Sequence, residues 1–356
     1  MPGSNGQARR NGNGDRRVTS LIRAARLRYV TTDQLALRRR RRGGGFAYLN
    51  HAGKPCDAAT VRRLKSLAVP PAYENVFYAE DDRAHIQAIG RDAAGRLQYR
   101  YHPEWVQVRE SMKARQLVQL VKALPRIRRN VSRQLAGGEP TREFALAAVI
   151  DLVARSAIRA GSDAYAQARG TRGAATLRKS HVAVDGSIVT LTFPGKGGRK
   201  VTREIRATRL AKAFRILRGL RGPRLFQYRD ETGAVRRVKR RQVNAFLHHI
   251  AGVDISLKDF RTLIACAAVL QALARTPPAP SARRRRRQVL DAVRTAAEEL
   301  ANTPAICRRS YVHDTVVSAF ENGALQRFSS SLKRCQSPAG RERILARIVA
   351  GASLPH

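Results

Sequence analysis

A chain of 356 residues with 69 lysines and arginines against 26 acids carries a formal charge of +43 at pH 7. Self-repulsion at that charge opposes compaction, so the folded chain is expected to have a polyanion as its partner. Double-stranded DNA, with about one charge per 1.7 Å of axis, suits such a surface. Hydrophobic residues make up 43% of the chain, enough to build cores. At roughly 150 residues per domain the length allows about two domains. No 18-residue apolar run appears, which leaves no candidate membrane span. The four cysteines, Cys56, Cys266, Cys307 and Cys335, are far apart and form no CxxC pair, so neither a zinc site nor a disulfide framework is expected. The N-terminus is Arg-rich and lacks the apolar core of a secretory signal; a transit-peptide composition over residues 1–27 is the weaker reading. The expected location is a reducing cytoplasm.

Residues 1–16 are rich in Gly, Asn and Arg and read as a disordered basic tail. Residues 17–29 read as a short helix. Arg38 to Arg42 are five consecutive arginines followed by three glycines. They read as a phosphate-contacting arm, with a solvated loop as the alternative. From Phe46 to Tyr101 short alternating runs separated by Gly turns predict strands, with one short helix over 58–68. A small β-rich N-terminal domain is therefore placed at 17–105.

After His102-Pro103 the period becomes helical, over 104–123, 126–136 and 141–160, the last stopped by Gly161. The run HVAV-DG-SIVTLTF alternates on both sides of Asp185-Gly186, a strong hairpin signal, and KVTREI supplies a third strand after PGKGG. Helices resume near 207–219, 241–250, 258–274 and 286–301. A second run, Arg283 to Arg287, falls at the start of a helix, where a solvated face is as good a reading as DNA contact. The fold class is α+β: a small β-rich N-terminal domain and a mainly helical catalytic domain, 106–325, interrupted by a three-stranded sheet. Residues 326–356 form a C-terminal tail of uncertain structure.

Five positions have a joint chemical logic: Arg159, Lys196 in the PGKGG turn, Arg261 in KDFR, and Asn302 and Tyr311 at the ends of NTPAICRRSY. Singly each is weak, since an arginine here is usually a solvated charge and a tyrosine usually packs. Together they suit attack on a phosphodiester. That reaction needs a nucleophile, cationic donors for the non-bridging oxygens, and an acid for the leaving oxygen. A tyrosine, with a pKa of about 10, serves if positive charge surrounds it. The arginine fork matches two phosphate oxygens and stays charged. A lysine on a turn can supply the proton.

The run SLAVPPAYENVFYAEDDRAHIQAIGRDAAGRLQYRYHPEW, and GGGFAYLNHAGKPCDAATVRRLKSL before it, resemble the N-terminal region of bacterial, poxvirus-like type IB DNA topoisomerases. IRAGSDAYA, TLRKSHV, FPGKGG, LKDFRT and NTPAICRRSYVH resemble that family's later motifs, in the right order. The spacings fit as well: 37 residues from Arg159 to Lys196, 65 to Arg261, 41 to Asn302 and 9 to Tyr311. The resemblance covers about residues 20–325.

It implies a monomeric, bilobal clamp on duplex DNA that relaxes supercoils of both signs, with no metal, ATP or other cofactor. It implies that Tyr311 forms a 3′-phosphotyrosyl link and that Arg159 and Arg261 hold the phosphate oxygens. Lys196 would protonate the departing 5′-hydroxyl, with help from Lys258, and Asn302 would hydrogen-bond a non-bridging oxygen. Tyr165 matches a DNA contact near the cleavage site. Gln98, Tyr99 and Tyr101 match a strand facing the major groove, with plain strand packing as their alternative.

The chain departs from the pattern after KDFRT. The family usually has Trp and then a small-Gly-Thr step, where Leu263, Ile264, Ala265 and Cys266 stand here. These positions are expected to pack behind Arg261. A catalytically impaired architectural DNA-binder is thus the second reading. A tyrosine recombinase is the third, disfavoured by Lys258, which gives KxxR in place of HxxR. His313 invites a role as general base, but residues at i and i+2 do not face each other.

Overall fold

The computed structural model describes residues 19–335 and 337–351. The basic tail read over 1–16 lies outside them. The chain divides into two compact units, the first ending at Met112 and the second beginning at Lys113.

The first unit is built on a five-stranded antiparallel sheet of β1 (Leu37–Arg42), β2 (Gly45–Leu49), β3 (Glu74–Tyr78), β4 (Ile86–Arg91) and β5 (Leu97–Tyr101), in the order β2-β1-β3-β4-β5. Helix α1 (Ala58–Ser66) is capped by Asp57, whose carboxylate accepts from Thr60 N at 2.9 Å. Leu37, Leu64, Val76, Tyr78 and Ala88 form one core cluster. Residues 19–24 are helical, a shorter span than the sequence suggested.

The first arginine run is a strand and not a loop. It lies in β1, paired with β2 along its length and with β3 at Leu37 and Arg38, and it turns into β2 through Gly43-Gly44, with Gly43 at φ +53°. A two-residue hairpin loop needs a positive φ, which glycine supplies without strain. Arg39 is buried. Its guanidinium donates to the carbonyls of Val69, Pro70 and Tyr73 at 3.0, 2.9 and 2.7 Å and lies 4.2 Å from the Phe46 ring centroid. Five identical residues carry no period, so the inward position could not be read from the sequence.

Helix α2 (Pro103–Ala136) runs unbroken through Pro125, where the sequence suggested two helices. A proline inside a helix costs about 3 kcal/mol. Burial of Leu117, Leu120, Leu124, Ile127, Val131 and Leu135 at spacings of three and four offsets it. Helix α3 (Arg142–Ser156) is the centre of the second core: every residue from Phe144 to Val153 except Asp151 is buried. Its N-cap is Thr141, whose hydroxyl accepts from Phe144 N at 3.2 Å. It ends where Ala157 turns left-handed at φ +52°, not at Gly161, so Arg159 stands beyond the helix.

After α4 (Asp163–Arg169) come β6 (Val182–Asp185), β7 (Ile188–Pro194) and β8 (Lys200–Arg206), an antiparallel sheet in sequential order. Helix α5 (Thr208–Arg218) follows, then a two-stranded ribbon of β9 (Gln227–Arg229) and β10 (Val235–Arg237) that the sequence reading had not anticipated. The remaining helices are α6 (Arg240–Ala251), α7 (Leu257–Ala274), α8 (Ala282–Glu299), α9 (Pro304–Ser310), α10 (Asp314–Glu321), α11 (Gln326–Arg334) and α12 (Pro338–Gly351). The second arginine run occupies the first turns of α8. The tail of uncertain structure thus contains two helices, and Leu332, Leu345, Ile348 and Val349 join the same core as α3. No helix among the described residues is long and apolar enough to cross a membrane.

Candidate active site

Arg159 is placed by a close backbone crossing. Ala174 N donates to the Arg159 carbonyl at 2.7 Å, and Ala175 N to the Ala160 carbonyl at 2.9 Å. A Cβ at Gly173 would lie 2.4 Å from the Arg159 carbonyl oxygen, so only glycine permits this approach. From there the Arg159 guanidinium reaches Asn302, donating to its side-chain carbonyl. Asn302 is itself held by its N–H, which donates to Ala297 O at 2.9 Å just past the end of α8.

Arg261 sits in the first turns of α7 and is only 3% exposed. Its guanidinium donates to the carbonyl of Ala157, at the end of α3, and to that of Leu300, past α8, at 3.0 Å. Its Cζ lies 4.8 Å from the centroid of the Tyr311 ring. No acid forms an ion pair with Arg159 or Arg261 among the described residues. Two buried donors, Arg261 Nε and Asn302 Nδ2, have no protein partner there. Buried positive charge and unpaired donors are costly unless an anion complements them.

Tyr311 follows α9, with φ −130° and ψ −25°, and its N–H donates to Cys307 O at 2.9 Å. Burial alone raises the phenol's pKa, but the Arg261 guanidinium, then Arg159 and Lys258, outweigh it and hold it below the ordinary tyrosine value. The Arg159 guanidinium is itself depressed, first by burial and then by Arg261.

Lys196 occupies the β7–β8 turn. That turn closes tightly: Gly195 N donates to Arg199 O at 2.8 Å, and a Cβ on Gly195 would lie 2.6 Å from a Val201 methyl. Lys196, Arg159 and Arg261 line one cleft, joined by Arg172, Arg203 and Glu299. The sequence reading missed these last three. An arginine in an arginine-rich chain gives no local signal of a cleft position. Arg203 donates to the carbonyls of Glu298 and Glu299 at 2.9 and 2.8 Å, tying β8 to the end of α8. Lys258 is exposed one turn before Arg261 on α7.

The structure thus gathers Arg159, Arg261, Asn302 and Tyr311, with Lys196 in the same cleft as the two arginines. Tyr165 lies on α4, 57% exposed, with Arg169 Cζ 5.8 Å from its ring centroid. In the first unit, Tyr99 and Tyr101 stack at 5.8 Å on the exposed edge strand β5. Gln98, one residue earlier, takes the opposite face by strand alternation, and its amide donates to Asp92 Oδ2 at 2.9 Å. The three do not form one surface. His313 is the N-cap of α10, its Nδ1 accepting from Thr315 N at 3.2 Å.

Residues 103–338 match the family model for the catalytic core of eukaryotic DNA topoisomerase I, and residues 45–92 match that for the N-terminal domain of bacterial DNA topoisomerase IB. DNA topoisomerase 1B of Acanthamoeba polyphaga mimivirus is 31% identical over 271 residues, covering 74% of this chain and 80% of that protein. DNA topoisomerase 1B of vaccinia virus (strain Copenhagen) is 24% identical over 252 residues, covering 69% of this chain and 75% of that protein. With two family models matched in order along its length, the chain belongs to the type IB DNA topoisomerases, in their bacterial, poxvirus-like group.

Proposed function

We propose that this enzyme relaxes supercoiled DNA of both signs by cutting and resealing one strand, without ATP or a metal ion. The Tyr311 oxygen, its phenolic proton released to solvent, attacks the scissile phosphorus, and the bond from phosphorus to the 5′-oxygen breaks. The strand's 3′ end is then carried as a phosphotyrosine, while the 5′-oxygen leaves with a proton from Lys196, assisted by Lys258. The phosphodiester energy is kept in the new bond, so the 5′-hydroxyl can attack in reverse and restore the strand. Between the two steps the free end rotates and torsion is lost.

One observation carries this reading: the phenol of Tyr311 is packed on Arg261, beside the Arg159–Asn302 pair, in a site with unpaired buried donors. Charge developing on the phosphate oxygens is what such fixed donors stabilise, each worth about 10²–10³ in rate. In this reading Arg159 and Arg261 take the non-bridging oxygens and Asn302 Nδ2 adds a further donor. Tyr165, Tyr99 and Tyr101 contact duplex DNA, and Gln98 does so only on release from Asp92. The enzyme works as a monomer on chromosomal DNA in the cytoplasm.

The test is incubation of supercoiled plasmid with the protein in EDTA without ATP, beside Tyr311→Phe. Relaxation by the first alone supports the reading. Binding without relaxation by either turns it to an architectural DNA-binding protein.

A further inference from the structure

The turn that carries Tyr311 is three residues long, Tyr311, Val312 and His313, between α9 and α10. Its start is held by α9, because Tyr311 N and Val312 N both donate to Cys307 O, at 2.9 and 3.2 Å. Its end is held by α10, which His313 caps. The peptides between are fixed from outside by one atom of α7. The Cys266 thiol donates to the Tyr311 carbonyl oxygen at 3.2 Å, and the same sulfur accepts the His313 N–H at 3.3 Å. Cys266 is fully buried, so solvent does not substitute for either bond. A thiol is a weak donor and acceptor. Here one sulfur nevertheless satisfies two backbone groups of the same short turn.

Arg261 and Cys266 stand five residues apart on α7, about 7.5 Å along its axis. The helix therefore holds Tyr311 twice, by the ring through Arg261 and by the backbone through Cys266. We propose that Cys266 is a positioning residue for strand cleavage, fixing the turn so that the Tyr311 phenol stands against Arg261 and Arg159. The inference rests on reading Tyr311 as the nucleophile. The phenol oxygen is the far end of a long side chain, so a small rotation of the turn is amplified there. A misplacement near 1 Å costs about 10²-fold in rate.

The two bonds separate from mere packing in a pair of variants. Cys266→Val keeps an apolar side chain of similar size and removes both bonds; Cys266→Ser keeps a donor and an acceptor. Covalent trapping on a nicked suicide duplex is measured across pH, together with DNA affinity and the melting temperature. The expected result for Cys266→Val is cleavage slower by about 10–100-fold, DNA affinity within about threefold, and a pH midpoint moved upward as the phenol drifts from its cations. Cys266→Ser should stay within about threefold of the parent rate and keep its midpoint. A folded Cys266→Val at the parent rate and midpoint overturns the inference, as does a folded Cys266→Ser as slow as the valine variant. If Cys266→Val does not fold, Cys266→Ser decides: a folded Cys266→Ser slower than the parent by about tenfold or more, or with its midpoint moved, overturns the inference. No covalent product from the parent protein overturns the reading of Tyr311 and this inference together. Parent product that is absent in Tyr311→Phe and undiminished in Cys266→Val overturns the inference alone.

Discussion

The guanidinium of Arg261 stacks 4.8 Å from the Tyr311 ring centroid while its own N–H groups donate to two backbone carbonyls, those of Ala157 and Leu300. One side chain therefore joins the ends of α3 and α8 and faces the tyrosine. Arg261→Lys keeps the charge but loses the rigid fork. Cleavage should fall by about 10²–10³. Stability should fall by about 1–3 kcal/mol for each buried carbonyl left without a donor. Single-turnover trapping on a suicide duplex and urea unfolding check the two effects separately.

The phenol of Tyr311 is held below its ordinary value against the opposing effect of burial, by Arg261 first and then by Arg159 and Lys258. The cleavage rate should rise with pH and reach half its plateau below about 10, the value for a free tyrosine. Arg159→Ala removes one of those charges and should move the midpoint up. For stability the sign is that of a group depressed on folding. The contribution is present above the unfolded value near 10 and is lost as pH falls through the folded value. At pH 7 it should add little, so Tyr311→Phe should melt close to the parent protein there. A midpoint of 10 or above in the parent's pH–rate profile would contradict the electrostatic argument.

Gly173 lets two backbone segments touch at Arg159, where a Cβ would fall 2.4 Å from a carbonyl oxygen. Gly173→Ala should force the Arg159 segment outward and slow cleavage by about 10²-fold. DNA affinity, spread over many cations, should change little. Equal loss of rate and affinity in a binding and trapping pair of assays would refute this.

The two arginine environments within β1 predict opposite outcomes. Arg39→Ala removes three hydrogen bonds to half-buried carbonyls and the stack on Phe46, and should destabilise the first unit by about 2–4 kcal/mol. Arg40→Ala, at an exposed position, should cost less than about 0.5 kcal/mol. Denaturant titration of the two variants decides.

Much of the chain was legible as written. Hydrophobic spacing of three and four placed α3, α5, α6 and α7, and the alternating runs on either side of Asp185-Gly186 placed β6 and β7. The short motifs that carry Arg159, Lys196, Arg261, Asn302 and Tyr311 were recognisable because each is local. Other features depended on distant segments. Pro125 stays inside a helix because the apolar face on both sides of it is covered. Leu332 and Leu345 turn the tail into packed helices because the core of α3 accepts them.

The division is sharpest among the arginines. The sequence by itself determined their number, and with it the +43 charge that calls for a polyanion. Tertiary structure alone decided that Arg39 is a strut, that Arg261 is buried against a tyrosine, and that Arg172 and Arg203 line the cleft with Lys196. Periodicity reports which face of an element is apolar. A guanidinium that is buried because carbonyls from far along the chain converge on it leaves no periodic trace.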